Sequence, residues 1–480
     1  MKEPNRFYSS LRLLIILNVI IKPLWIFGID RQVQNTVGTA VYGNYFSLLN
    51  LSIVFSFLLD WGLTTFFNRQ LSSQKINFID SAGNFLFIKL LFAVIYAVFV
   101  FFIAIISGVD HGDVLLYVVL IQVFISLFVF FRAIITAHQW FGTDAWLSVL
   151  DKTLMIFLCG SLLYYPVFFG NMTINKFLFT QAICSGLAML CTIAILFRRG
   201  VSFSISKILV NRELFFSVLP FAIIVFLMSV HYRLDGFLLE RIHRNGDQQA
   251  GIYAGAYRLL DAANMIGYLF ASFLLPYIAR QWSKKKNMQN VILTSRHFLL
   301  MFSVMIIATV FFLAPWIQQA LYHHNGGDGT GVLQMCIPAL IGYSLVQIYG
   351  TVMTATGQVV SFCKILTIAV LINILFNLLL IPTMGAKGCC IAALISQGFC
   401  GIATMIFVNH KSGISIHFSS LSIYIFTLAI LSGFYYVGNN WIVNKWLLIA
   451  AGGMITLLLM VVTKLFTVKT WIYSLKGTNL

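Results

Sequence analysis

The chain has 480 residues, 60% hydrophobic and only 9% charged, with a formal net charge of +17. A soluble globule of this length carries roughly a quarter of its residues charged, so a water-soluble fold is excluded. No soluble domain remains to carry a basic groove, which excludes a nucleic-acid partner despite the positive charge.

Apolar runs of about 18 or more residues recur from end to end, each long enough to cross a hydrocarbon core about 30 Å thick. Backbone amides at that depth are satisfied only within helices or a closed barrel. Apolar/polar alternation is absent, so the chain is expected to be an all-α integral membrane protein. Spans are predicted near 11–29, 40–60, 84–107, 114–137, 145–166, 176–197, 214–238, 251–278, 297–321, 332–356, 361–382, 386–409, 419–437 and 446–464, about 14 helices in all. The even number puts both termini on one side. About 18 Lys and Arg fall in segments on that side, Arg296 among them, against about 6 on the other, so the termini are expected in the cytoplasm.

The first span follows Lys2, Arg6 and Arg12 and mimics a secretory signal, "LLIILNVII". Lys22 interrupts it and no small-x-small cleavage site follows, so a retained helix is expected. The second span begins with "VYGNYFSLLN" (41–50), which overlays "IYAGAYRLLD" (252–261) of the eighth at an offset of 211. At the same offset "RQLS" (69–72) meets "RQWS" (280–283). The pattern predicts a parallel repeat of two six-helix lobes, residues 1–212 (N-lobe) and 213–410 (C-lobe). Residues 411–480 would hold a C-terminal helix pair and a cytoplasmic tail. Parallel repeats are related by an axis along the membrane normal, with the substrate path between them.

Charge within the spans is costly, roughly 2.5–3.5 kcal/mol on insertion scales, and marks functional positions unless a long side chain snorkels to the interface. Lys89, Arg132, Lys152 and Lys364 lie near the predicted cytoplasmic ends and read as snorkelling residues. Lys22 lies near the middle of its span, with Pro23 loosening the backbone behind it. Asn18, Lys22, Trp25 and Ile29 share one helical face. Arg233 and Asp235 stand in the seventh span. Arg258 and Asp261, at i and i+3 in the eighth, can partly neutralise each other, and Asn264 flanks them. Asn50 and Asp60 mark the second span. The expected assignment is Lys22, Arg233 and Arg258 as cavity cations binding substrate. Asp235, Asp261 and Asp60 would be charge partners or carriers of a coupling H+ or Na+; Asn18, Asn50 and Asn264 would line the cavity.

The sequence has no H-E-x-x-H, G-x-S-x-G or Walker lysine motif, and its loops are too short for an active site outside the membrane, so no enzyme, resident metal or cofactor is expected. "GGDGTG" (326–331), beside His323 and His324, reads as a flexible outer turn. The eight cysteines all fall in spans without C-x-x-C spacing, so neither disulfides nor a zinc site is expected.

The segments "KPLWIFGIDRQVQNTVG", "YGNYFSLLNLSIVFSFLLDWGL", "YRLDGFLLERI" and "GIYAGAYRLLDAANMIGYLFASFLLPYIAR" resemble the Wzx-type O-antigen and polysaccharide flippases of the MOP superfamily, closest to those of Bacteroidetes-like bacteria. The resemblance runs from about Lys22 to the twelfth span and is most specific in "AYRLLDAANMIGY". It implies a fourteen-helix exporter in the bacterial inner membrane. Such an exporter moves undecaprenyl-pyrophosphate-linked saccharide repeat units from the cytoplasmic to the periplasmic leaflet by alternating access. Membrane lipids, a polysaccharide polymerase and other assembly proteins would be its partners. A multidrug cation antiporter of the same superfamily, a flippase for lipid II or another lipid-linked substrate, and a membrane-embedded glycan polymerase or ligase are the competing readings.

Overall fold

The computed structural model describes residues 3–64, 82–201, 203, 212–284, 288–322, 326–412 and 418–463. Every regular element among them is helical, and 13 helices are long and apolar enough to cross a membrane. The chain is a multi-pass membrane protein. The "RQLS" match of the repeat, His323–His324 and most of the C-terminal tail lie outside the described residues.

Contacts divide the chain into two compact units, Met1–Arg241 with Asn245–Gly251, and Ile242–Arg244 with Ile252–Leu480. The sequence-based lobe boundary at 212/213 precedes the seventh span; the contact boundary follows it.

In the first unit, α1 (Glu3–Pro23) continues through a π-helical stretch, Leu24–Asp30, into α2 (Arg31–Val37). Pro23 supplies no backbone donor, and wide turns of this kind are frequent at functional positions. The second predicted span is α3 (Thr39–Val54), which tightens into a 3-10 stretch at Ser56–Leu59. Next come α4 (Ala82–Ile106), α5 (Gly112–Ala137), α6 (Phe141–Tyr164), the single turn α7 (Pro166–Phe169), α8 (Ile174–Arg198) and α9 (Arg212–Ile242). On α4, Ala93, Tyr96, Val100 and Ala104 are buried while Val94, Val98, Phe102 and Ile105 face outward. Both faces are apolar, as expected of a helix between protein and lipid. Phe130, Phe131, Ile134, Leu147, Ala188 and Leu196 join α5, α6 and α8 in one core.

Glycines set the closest approach. A side chain at Gly43 would begin 1.8 Å from the Asp247 carbonyl oxygen, and one at Gly251 would begin 2.0 Å from that of Thr39. Bare backbone therefore meets bare backbone where α3 touches residues 247–251. Gln34 Nε2 donates to the Gly251 carbonyl (2.8 Å) across the same junction.

The second unit takes most of α10 (Gly246–Ser283), then α11 (Gln289–Leu321), α12 (Gly326–Cys336), α13 (Leu340–Ala355), α14 (Val359–Met384), α15 (Ala386–Ser412), α16 (Phe418–Trp441) and α17 (Lys445–Val462). "GGDGTG", read as a flexible turn, instead forms the first turns of α12. The helix forms despite the entropic cost of its glycines, which is smallest at a helix end, and Asp328 sits favourably in the N-terminal turn. Of the C-terminal pair, α16 is held to α11 by polar contacts: Tyr435 with Thr309 at 2.7 Å, Tyr424 with His297, and Thr427 to the Met301 sulfur at 3.7 Å.

Candidate functional site

The face of α1 identified by spacing packs mainly against α6. Asn18 Nδ2 donates to Ser148 Oγ at 2.8 Å, and one turn on comes Lys22, half-buried. Trp25 is buried, stacks on Phe177 and carries the Lys152 ammonium over its ring at 5.3 Å. The charges of Asp151, Lys152 and Arg132 all act on the Lys22 ammonium. Lys152 pairs with Asp151 at 3.3 Å and Arg132 Nε with Asp144 at 2.8 Å, the guanidinium also lying over Phe128. Three cations and two carboxylates from α1, α5 and α6, all helices long and apolar enough to span a membrane, thus form one cluster in the first unit.

Arg132 and Lys152 were expected to snorkel. They retain 22% and 24% side-chain exposure but are engaged by carboxylates and aromatic rings. The signal was present in the sequence: Asp151 directly precedes Lys152, and Asp144 stands opposite Arg132 across the short α5–α6 turn.

Lys89 does not snorkel either. Its ammonium is buried, paired with Asp60 and donating to Thr64 Oγ1 at 3.0 Å. Asp60 sits where α3 has ended. Trp61 (φ +45°) and Gly62 (φ +77°) turn the chain left-handed, and the Asp60 carboxylate accepts from the Thr64 amide at 3.3 Å. This arrangement uses Asp60 as a structural counter-ion. Lys364 is exposed, as a snorkelling residue would be.

The remaining candidates spread over both units. In the first, Asn50 is buried, with its amide nitrogen 2.3 Å from where a Gly236 side chain would begin. Arg233 is half-buried and Asp235 buried on α9. In the second, Arg258 is 7% exposed; Nη1 donates to the Tyr322 hydroxyl at 2.7 Å, which donates to the Gly255 carbonyl at 3.3 Å. Asp261 is half-buried, and Asn264 is buried beside Gly267 and Gln347. Arg296, assigned from sequence to a cytoplasmic segment, lies inside α11 and is buried, its charge acting on the hydroxyls of Tyr349 and Tyr424. Among the described residues no three His, Cys, Asp or Glu side chains gather as a metal site.

No protein-family model matches the chain, and no curated protein matches it in sequence. Solved structures do. The inward-facing form of a multidrug-resistance MATE transporter of the MOP superfamily superposes with a TM-score of 0.66 at 13% identity, covering 81% of this chain and 94% of its own. The lipid II flippase MurJ, in an inward closed conformation, gives 0.66 at 15% identity, covering 94% of this chain and 98% of its own. This is the fold of the MOP-superfamily transporters. A further member, from Pyrococcus furiosus and described as having a binding pocket of reverse polarity, gives 0.61 at 14% identity over 84% of this chain and 95% of its own.

Proposed function

We propose that this MOP-fold chain is a flippase for lipid-linked saccharides with an anionic headgroup, and not an enzyme. The observation that carries the reading is the convergence of Lys22, Arg132 and Lys152 from three helices inside the membrane. A pyrophosphate headgroup bears about two negative charges and cannot enter hydrocarbon unless its hydration is replaced. Clustered cations supply that replacement, and charge-assisted hydrogen bonds to phosphate oxygens are the strong kind. Arg258, fixed by Tyr322, offers a second cation on α10. The polyprenyl tail never leaves lipid, so the protein has only the headgroup and sugars to carry, by alternating access.

The competing reading, a cation antiporter, draws support from the MATE structures, which share the fold. Two features count against it. Cations outnumber carboxylates in the cluster, and the superposition on MurJ covers more of this chain than that on MATE. The P. furiosus transporter's description links pocket polarity to a difference of function within the fold. By the resemblance in sequence, the cargo proposed is an undecaprenyl-pyrophosphate-linked repeat unit for O-antigen or polysaccharide, and the site of action the bacterial inner membrane. Asp235 and Asp261 remain the candidates for a coupling H+ or Na+.

Deletion of the protein followed by analysis of lipid-linked intermediates tests the proposal. Complete repeat units confined to the inner leaflet are the expected result. Accumulation of shortened units would point to an enzyme, and an unaltered profile with altered drug sensitivity to an antiporter.

A further inference from the structure

Two short connections carry apolar side chains that nothing in their own unit covers. In the first unit, α6 ends at Tyr164 and the turn α7 follows, where Val167 is 92% exposed beside exposed Tyr165 and Phe168. In the second, α16 ends at Trp441 and the chain re-enters α17 through Val443, 94% exposed, and exposed Trp446. A water-facing turn of this composition is unfavourable.

Both turns share a second feature. Helix C-termini leave carbonyl oxygens without intrahelical donors. In the first turn Lys176 Nζ donates to the carbonyls of Phe169 and Asn171, both at 3.1 Å. In the second Lys445 Nζ donates to those of Asn439 and Ile442, at 2.8 and 3.2 Å. The following helix is side-chain capped in each case, by Thr173 and by Asn444. Backbone that leaves bulk water needs such internal donors, whereas a turn bathed in solvent does not.

We infer that both turns are wedges seated in the headgroup–acyl boundary of the bilayer, with phospholipid as the occupant. Each continues the lipid-facing surface of the helix before it: Phe157 and Leu158 on α6, Tyr436 and Val437 on α16, all outward. At 24 residues, α6 spans about 36 Å, longer than the hydrocarbon core, so its end stands at headgroup level. Aromatic rings suit that layer, lying against acyl chains, while the lysine ammonium stays on the carbonyls at the polar edge of the turn. Each wedge fixes the depth of its own unit.

The test uses the full-length chain with the accessible Cys191 and Cys363 changed to Ser, reconstituted in phosphatidylethanolamine–phosphatidylglycerol vesicles. Val167→Cys and Val443→Cys are spin-labelled and their relaxation by oxygen and by a water-soluble nickel chelate is compared. Phe157→Cys serves as the lipid-facing reference and Asp110→Cys as the aqueous one. Oxygen access with loss of nickel access at 167 and 443, as at 157, is expected. A nickel-accessible pattern like that at 110 overturns the inference, and so does exclusion of both reagents, which would mean a protein covers the turn. Lys176→Met and Lys445→Met provide a second arm. Removing the donor forces the freed carbonyls toward water, so nickel access should return at 167 and 443 respectively; labels that stay inaccessible would show that the lysines play no such part.

Discussion

The Asp60–Lys89 pair offers the sharpest quantitative test, because its two partners are unequally exposed. Lys89's side chain is 1% exposed and Asp60's 32%. Removing one partner of a buried pair costs about 3–5 kcal/mol, chiefly through the charge left behind. Asp60→Asn strands an ammonium with Thr64 Oγ1 and, at 5.7 Å, the Phe130 ring as neighbours. A cation–π contact of about 0.5–2 kcal/mol offsets little of that, so a loss of about 4 kcal/mol is expected. Lys89→Met leaves a carboxylate that keeps the Thr64 amide and one-third of its exposure, and should cost about 1–2 kcal/mol. The double variant, with no buried charge, should fall near the Lys89→Met value, giving a coupling of about 4 kcal/mol in magnitude. Reversible unfolding in mixed micelles of SDS and a mild detergent measures all four proteins. Equal losses for the two single variants, or a coupling below about 0.5 kcal/mol, would refute the assignment of Asp60 as counter-ion to a buried lysine.

Gly251→Ala places a methyl 2.0 Å from the Thr39 carbonyl and should cost about 3 kcal/mol or abolish folding, whereas Gly28→Ala, with nothing within 4 Å, should be near neutral; thermal melting of the purified chain separates them. Lys22→Met, Arg132→Met and Lys152→Met should each weaken binding of a polyprenyl pyrophosphate about tenfold or more, read by titration in detergent, since each removes a charge-assisted contact of about 1.5–3 kcal/mol. Arg258→Glu should abolish delivery of glycan to the outer leaflet at unchanged protein level, and Arg258→Lys, which keeps the charge but loses the fork on Tyr322, should retain part of it. Unchanged delivery in Arg258→Glu removes that residue from the mechanism.

The helices were legible because a bilayer demands long apolar runs; all fourteen expected spans have helical counterparts, the second shortened where α3 breaks at Phe55. Pro23 announced a disturbance in the first span, although its form, seven residues of π-helix, has no signature in residue type. The polar face of Asn18, Lys22 and Trp25 was legible from spacing, but its partners were not. Periodicity tells which side of a helix is special, not which helix it meets, so the contacts with Ser148 and Lys152 required the fold. The same limit explains Lys89: its counter-ion lies 29 residues earlier in the chain, and depth counted along one helix could not distinguish a snorkelling lysine from a paired one. Arg296 misled for a related reason, since the tyrosines its charge acts on, Tyr349 and Tyr424, come from two other helices.

The junction of α3 with residues 247–251 has an unusual texture. Where most helix contacts mesh like gears, here Gly43 and Gly251 present smooth flanks to carbonyl oxygens. Few side chains interlock across such surfaces; the bond from Gln34 to Gly251, the Thr39 methyl and van der Waals adhesion are among what must yield. Parting and re-joining a seam of this sort would need little repacking, and any bulkier residue at either glycine would jam it.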